Sequence, residues 1–261
     1  RLLSAWLALV LLLTLLPVGA LAADEVASGT CGDNLTWTLD SDGVLTISGT
    51  GAMDIEEGIA PWFDNKDVIK TVNIASGVTS IGSSAFNECC NLTSITIPDS
   101  VVSIGIEAFR SCSSLTNVTI PDGVTSIEHD VFSRCSSLTS VTIPDSVTCI
   151  ESGAFVNCSA LTSVTIPDSV TSIGIWSFSG TGYYNNETNW EKGVLYIDHW
   201  LIKAKMELTG VYEIKPGTVG IADDAFSWCG SLTSVTIPDS MTSIGEEAFY
   251  GCSALTDITI P

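Results

Sequence analysis

The sequence predicts a repeat solenoid of stacked coils, each 23 residues long. Three observations predict it. Near copies of one string recur: LTSITIPDSV from Leu92, LTNVTIPDGV from Leu115, LTSVTIPDSV from Leu138 and again from Leu161, and LTSVTIPDSM from Leu232. Such self-similarity at a fixed period is the mark of a stacked array. Phe86, Phe109, Phe132, Phe155 and Phe178 keep the same 23-residue step. Finally, eight places per unit are apolar or Cys, in the unit from Leu92 at positions 92, 95, 97, 101, 104, 108, 109 and 112. One coil cannot bury such a stripe alone, whereas stacked coils bury it continuously with adjacent strands ~4.8 Å apart.

Each part of the unit has a physical reading. Ile95, Thr96 and Ile97 alternate as a strand with one buried face. Pro98 lacks an N–H and ends that strand. Asp99 and Ser100 suit the following turn, each aspartate being expected to accept local N–H groups. Val101 and Ile104 point inward again, and Ala108 with Phe109 closes the coil from a short helical turn. From Phe178 to Phe226 is 48 residues, two steps plus two, so a degenerate coil lies at about 180–215.

The pattern L-x-x-[IV]-x-I-P-x-[SG]-V-x-x-I-x-x-x-A-F-x-x-C resembles the BspA-like, or treponemal, class of leucine-rich repeats. It covers about residues 69 to 261 and recurs at least six times. Where the common repeat L-x-x-L-x-L-x-x-N/C-x-L has Asn or Cys, this chain has Ser100, Gly123, Ser146, Ser169 and Ser240. The resemblance implies a parallel β-sheet on the concave face and short helical turns or loops on the convex face. It also implies an N-terminal capping segment and a bacterial secreted or surface protein of adhesin type.

Residues 1–23 read as a signal peptide: a long apolar run after Arg1, broken by Pro17 and Gly19, then small residues at Ala20-Leu21-Ala22. Residues 24–70 leave the repeat. Leu35 to Leu39 and Val44 to Ile47 flank Asp40-Ser-Asp42-Gly43 as a β-hairpin, with Trp37, Trp62 and Phe63 available to cover the open end of the solenoid over 71–261. The chain stops at Pro261 with no capping pattern, which predicts that the natural protein continues.

Charge and motif content exclude several functions. The chain carries 30 acidic against 9 basic residues, a formal charge of -21. Such a surface repels phosphate backbones and anionic membranes, so neither nucleic acid nor membrane insertion after leader cleavage is expected. Six of the nine cysteines (Cys89, Cys112, Cys135, Cys158, Cys229, Cys252) share one repeat position and read as small buried thiols. Glu128-His129-Asp130 falls on the variable, solvated face, and the only other histidine is His199 in a predicted hairpin turn. There is no G-x-S-x-G, Walker loop or H-E-x-x-H. The sequence therefore predicts no catalytic residue, no cofactor and no metal site.

What is left is binding. The strand face presents Thr96, Thr119, Thr142 and Thr165, a flat hydroxyl-rich surface without large anchors. The degenerate coil holds Tyr183, Tyr184, Trp190 and Trp200, and Trp228 sits in a variable turn. Packing inside an altered coil is one role for the aromatics of that coil, and contact with an extracellular protein, matrix or glycan is the other. The expected protein is a monomeric, non-enzymatic binding module. The alternative is a passive spacer or targeting module of a larger secreted protein whose catalytic or anchoring part lies beyond residue 261.

Overall fold

The computed structural model describes residues 23–55 and 58–259, which wind into about nine coils of about 23 residues. The predicted leader falls outside the described residues except for Ala23. The 23-residue step is the register between coils. Thr71 pairs with Ser94, Asn117 with Ser140, Ser126 with Cys149 and Cys149 with Ser172, all in parallel. Each residue therefore lies against its own copy, so a repeated string is a repeated contact.

A coil has three sides. The first is a strand such as Ser94–Thr96, Asn117–Thr119 or Ser140–Thr142, whose central residue faces the core. The second is the short pair Ser103–Ile104, Ser126–Ile127, Cys149–Ile150 or Ser172–Ile173, with the isoleucine buried. At the corner between them, Ser100, Ser146 and Ser169 donate Oγ–H to the carbonyls of Val78, Val124 and Val147 in the preceding coil, at 2.6–2.7 Å. The serines, rather than the neighbouring aspartates expected to cap these turns, make the corner's side-chain bonds.

The third side differs from the expected helical turn. Alternate N–H groups bond within the coil: Ala108 to Gly105 O, Arg110 to Glu107 O and Cys112 to Phe109 O, at 3.0–3.2 Å. The N–H groups between them cross to the next coil: Glu107 to His129 O, Phe109 to Val131 O and Ser111 to Ser133 O, at 2.7–3.0 Å. A helix aims every N–H along its own axis and would leave none for the neighbour. The alternation is reached with left-handed residues two before and two after the phenylalanine, at Glu107 (φ 57°) and Ser111 (φ 61°), then Asp130 (φ 55°) and Arg134 (φ 62°).

Phe86, Phe109, Phe132, Phe155 and Phe178 are fully buried and stack offset at 5.4–5.6 Å between centroids. Beside them, Cys112, Cys135 and Cys158 donate Sγ–H to the carbonyls of Phe86, Phe109 and Phe132 at 3.0–3.1 Å. All nine cysteines are free thiols. Burial pushes Cys89 and Cys158 up to about 12, so neither offers a reactive thiolate at neutral pH.

The N-terminal cap contains the predicted hairpin, Leu35–Asp40 with Val44–Gly49, and a further antiparallel strand, Glu25–Gly32. Val44–Gly49 then pairs in parallel with Thr71–Ile74, so the cap sheet runs into the first side of the solenoid. The Asp40 carboxylate accepts the N–H groups of Asp42 (3.0 Å) and Val44 (2.9 Å), which closes the hairpin turn. Trp62 continues the phenylalanine stack at 5.7 Å, and Trp37 closes it edge-on at 5.7 Å. Phe63 instead faces outward, with the Lys66 ammonium 4.0 Å from its ring.

Two outcomes follow from this core. Phe132→Ala, at the middle of the stack, lowers the unfolding free energy by about 3–5 kcal/mol in urea denaturation; a loss under about 1 kcal/mol would show that the stack does not hold the coils. Thiol titration of the denatured, unreduced chain returns nine thiols. A shortfall of a pair would show a disulfide.

Candidate functional site

The three sides lose their pairing together at one place, whereas between the coils of Leu92 and Leu115 only the turn side stays bonded. First-side pairing ends with Ser140–Thr142 and resumes where Thr209–Glu213 pairs with Ser231–Thr236. Second-side pairing runs to Ser172–Ile173 and resumes where Trp200–Leu201 pairs with Gly220–Ile221. The turn ladder reaches the bond from Asn157 N–H to Ser179 O, and resumes with that from Asp224 N–H to Glu246 O. The gap holds a helical turn, Gly182–Asn185, capped by the Thr181 hydroxyl on Tyr184 N–H at 3.0 Å. An antiparallel meander follows: Trp190–Glu191, Val194–Ile197 and Trp200–Ala204. Its second turn is the Asp198-His199 turn read from the sequence.

The hairpin stands between two cores. Leu195, Ile197, Trp200 and Ile202 pack into the N-terminal one, and Val194, Tyr196, Leu201 and Ala204 into the C-terminal one. Burial on both faces is why Val194-Leu-Tyr-Ile and Trp200-Leu-Ile are nearly continuous apolar runs. Trp200 is thereby corrected as a ligand contact. It is 3% exposed, and its ring lies over Gly220, where a Cβ would stand 2.3 Å from the ring.

The other proposed aromatics are more accessible. Tyr183 is half-buried, and its hydroxyl donates to Tyr196 O at 2.9 Å. Tyr184 and Trp190 meet edge to face at 5.1 Å, and Trp190 Nε1 donates to Tyr184 O at 2.7 Å. Both keep part of their rings in solvent. Trp228 is 60% exposed and edge-on to Tyr250 at 5.2 Å. Thr96, Thr119, Thr142 and Thr165 are exposed along the first side.

Trp176 was missed, although the repeat carries a signal for it. Its column otherwise holds Ser84, Glu107, Asp130, Gly153, Asp224 and Glu247. This is a left-handed position, and Trp176 has φ 62° with 65% of its surface exposed. That backbone costs a non-glycine residue roughly 1–2 kcal/mol. A ring left mostly in water recovers little of it.

Two clefts adjoin across Tyr184 and Lys203. One is lined by Trp176, Ser177, Ser179, Asp223 and Asp224. The other is lined by Asn185, Glu187, Trp190, Lys205 and Glu207. Lys203 Nζ donates to Asp224 O and, at 3.0 Å, to Ser227 Oγ; burial lowers its pKa. Burial raises the Asp223 carboxyl, and Glu246 N–H donates to Asp223 Oδ1 at 2.7 Å. Lys205 pairs with Glu187 and lies 5.0 Å from the centre of the Trp190 ring. Among the described residues, no three His, Cys, Asp or Glu side chains are grouped so as to hold a metal ion. No helix among them is long and apolar enough to cross a membrane.

Parallel coils, a buried leucine and phenylalanine in each, and outward hydroxyls define a leucine-rich repeat solenoid. The BspA type leucine rich repeat region matches in six copies over residues 60–185 and 214–261, and the chain belongs to that family. The residues between the two matched stretches form most of the interruption. A leucine rich cell surface protein from Faecalibacterium prausnitzii is 32% identical, over 91% of this chain and 77% of that one, with a TM-score of 0.42. The T. pallidum leucine rich repeat protein is 26% identical, over 87% of this chain and 90% of that one, with a TM-score of 0.48. No curated protein matches the chain.

The close contact at Gly220 makes the interruption testable. Gly220→Ala drives a methyl into Trp200 and lowers stability by about 1–3 kcal/mol, read as a fall in Tm. Thr165→Ala, on the exposed strand face, changes it by less than about 0.5 kcal/mol. Equal melting of the two variants would show that the hairpin is not seated on Gly220.

Proposed function

We propose that the chain is a non-enzymatic binding module, secreted or held at the cell surface, that engages an extracellular protein, matrix or glycan in the manner of an adhesin. The observation that carries this reading is the segregation of anchors. The first-side face presents small hydroxyls, whereas Trp176, Tyr184, Trp190 and two clefts gather at the interruption. Specific recognition rests on a few large anchors, with Trp and Tyr prominent among them. A rigid array interrupted by a packed hairpin offers such anchors on a fixed frame.

Export is supported by the leader-like segment up to Ala23. It is supported too by the sequence relationship to a protein described as a leucine rich cell surface protein, at 32% identity. The formal charge of -21 supports a partner that is not itself strongly anionic. Any contact through the hydroxyl face would be weak per coil and would gain by summation along the array.

The test is a binding screen of the purified chain against extracellular-matrix proteins and glycans. Saturable binding is expected for at least one ligand. Affinity falls about tenfold or more when Trp176 and Trp190 are both changed to Ala, as for an anchor. Replacement of Thr96, Thr119, Thr142 and Thr165 by Ala leaves it within about threefold. No saturable ligand, or equal binding by the tryptophan variant, would defeat this reading.

A further inference from the structure

We infer that the groove running from Trp176 past Tyr184 to Trp190 is a site for a short, uncharged oligosaccharide. This rests on the interruption being the binding face and names the ligand class that the face takes. A pyranose ring has an apolar C–H face and a rim of hydroxyls that both donate and accept. The groove offers the complement of both. Trp176, Tyr184 and Trp190 occur in order along two adjoining clefts, with Tyr184 common to both. Each keeps ring surface open to solvent. Between them lie donors and acceptors of mixed kind: Lys203, Ser177, Asn185, Asp223 and Asp224. Lys203 and Asp223 are held by bonds to neighbouring coil residues, so these groups stand ready rather than searching.

Trp176 carries the argument furthest. Its left-handed backbone suits glycine, and the other coils place small or acidic residues in this column. Its exposure shows that the core does not hold it there.

The surroundings narrow the ligand. The chain's charge of -21 disfavours sialylated, sulfated or phosphorylated sugars. An extended peptide would dock best on an open strand edge. The strand beneath the groove, Trp200–Ala204, is already paired on one side with Val194–Ile197 and on the other with Gly220–Ile221.

The experiment is an array of neutral, sialylated and sulfated oligosaccharides, followed by calorimetric titration of the best neutral hit. Wild type is compared with Trp176→Gly and Trp228→Gly. Glycine suits the left-handed backbone at both positions, so both variants fold, and melting curves check this. A saturable neutral ligand is expected, with at least a tenfold affinity loss in Trp176→Gly and none in Trp228→Gly. No neutral hit at millimolar sugar, a preference for anionic sugars, or equal losses in both variants would overturn the site. Should a matrix protein bind while every sugar fails, the glycan assignment falls and the binding-face reading stands. If neither class binds, both fall.

Discussion

The constraint on which the structure depends is that no coil satisfies its own backbone. The polar groups of one coil are completed by the next, through parallel strand pairing on two sides of most coils and through the alternate N–H groups of the turn side. A buried backbone group without a partner costs free energy comparable to a lost hydrogen bond. The register of 23 is therefore fixed by bonds as well as by apolar packing. Once it is fixed, like stacks on like, and the phenylalanines, cysteines and corner serines form columns. The N-terminal cap obeys the same constraint: its last strand offers a parallel edge, and Trp62 and Trp37 complete the aromatic stack.

The surface changes character where this constraint is relaxed. A perfect array presents the same face at each step, and a face of threonine and serine discriminates poorly. The segment from Gly180 to Lys215 replaces a coil with a meander that is apolar on both sides. The neighbouring coils can then no longer close on one another, and clefts open beside exposed rings. These clefts follow from the packing of the hairpin.

Much of the fold was legible because a stacked repeat converts sequence period into spatial contact. The Leu, Phe and Cys columns and the Asp198-His199 turn could be read directly. The turn side could not. Its left-handed positions are filled by Glu107, Asp130 and Arg134, which disguise a backbone usually signalled by glycine. The first cap strand was hidden because Glu25–Gly32 lacks clear alternation, and Gly29 serves to admit the Trp37 indole, 2.9 Å from where a Cβ would lie. Of the candidate contacts, Tyr184 and Trp190 lie on the groove, and Trp200 does not. In an irregular stretch, sequence cannot distinguish a ring facing solvent from one seated on a glycine across the core. Trp176 went unread because Ile175 and Phe178 beside it make it look like part of an apolar run, although its column marks it as foreign.

The double-faced hairpin also divides the apolar core of the molecule in two. By its backbone it belongs to the C-terminal stack, through pairing with Gly220–Ile221 and the bond from Ala204 N–H to Ala225 O. Towards the N-terminal stack, the hydrogen bonds are sparse: Tyr183 N–H to Leu161 O, Asp223 N–H to Ile173 O, and Ile166 N–H to the Asp198 carboxylate. Coupling across that seam is carried chiefly by Leu195, Ile197, Trp200 and Ile202. In a linear array, stability is a sum of units and of nearest-neighbour terms. Apolar packing weighs heavily at this junction, and hydrophobic coupling weakens on cooling. The groove lies along this seam, where two apolar cores meet across one hairpin.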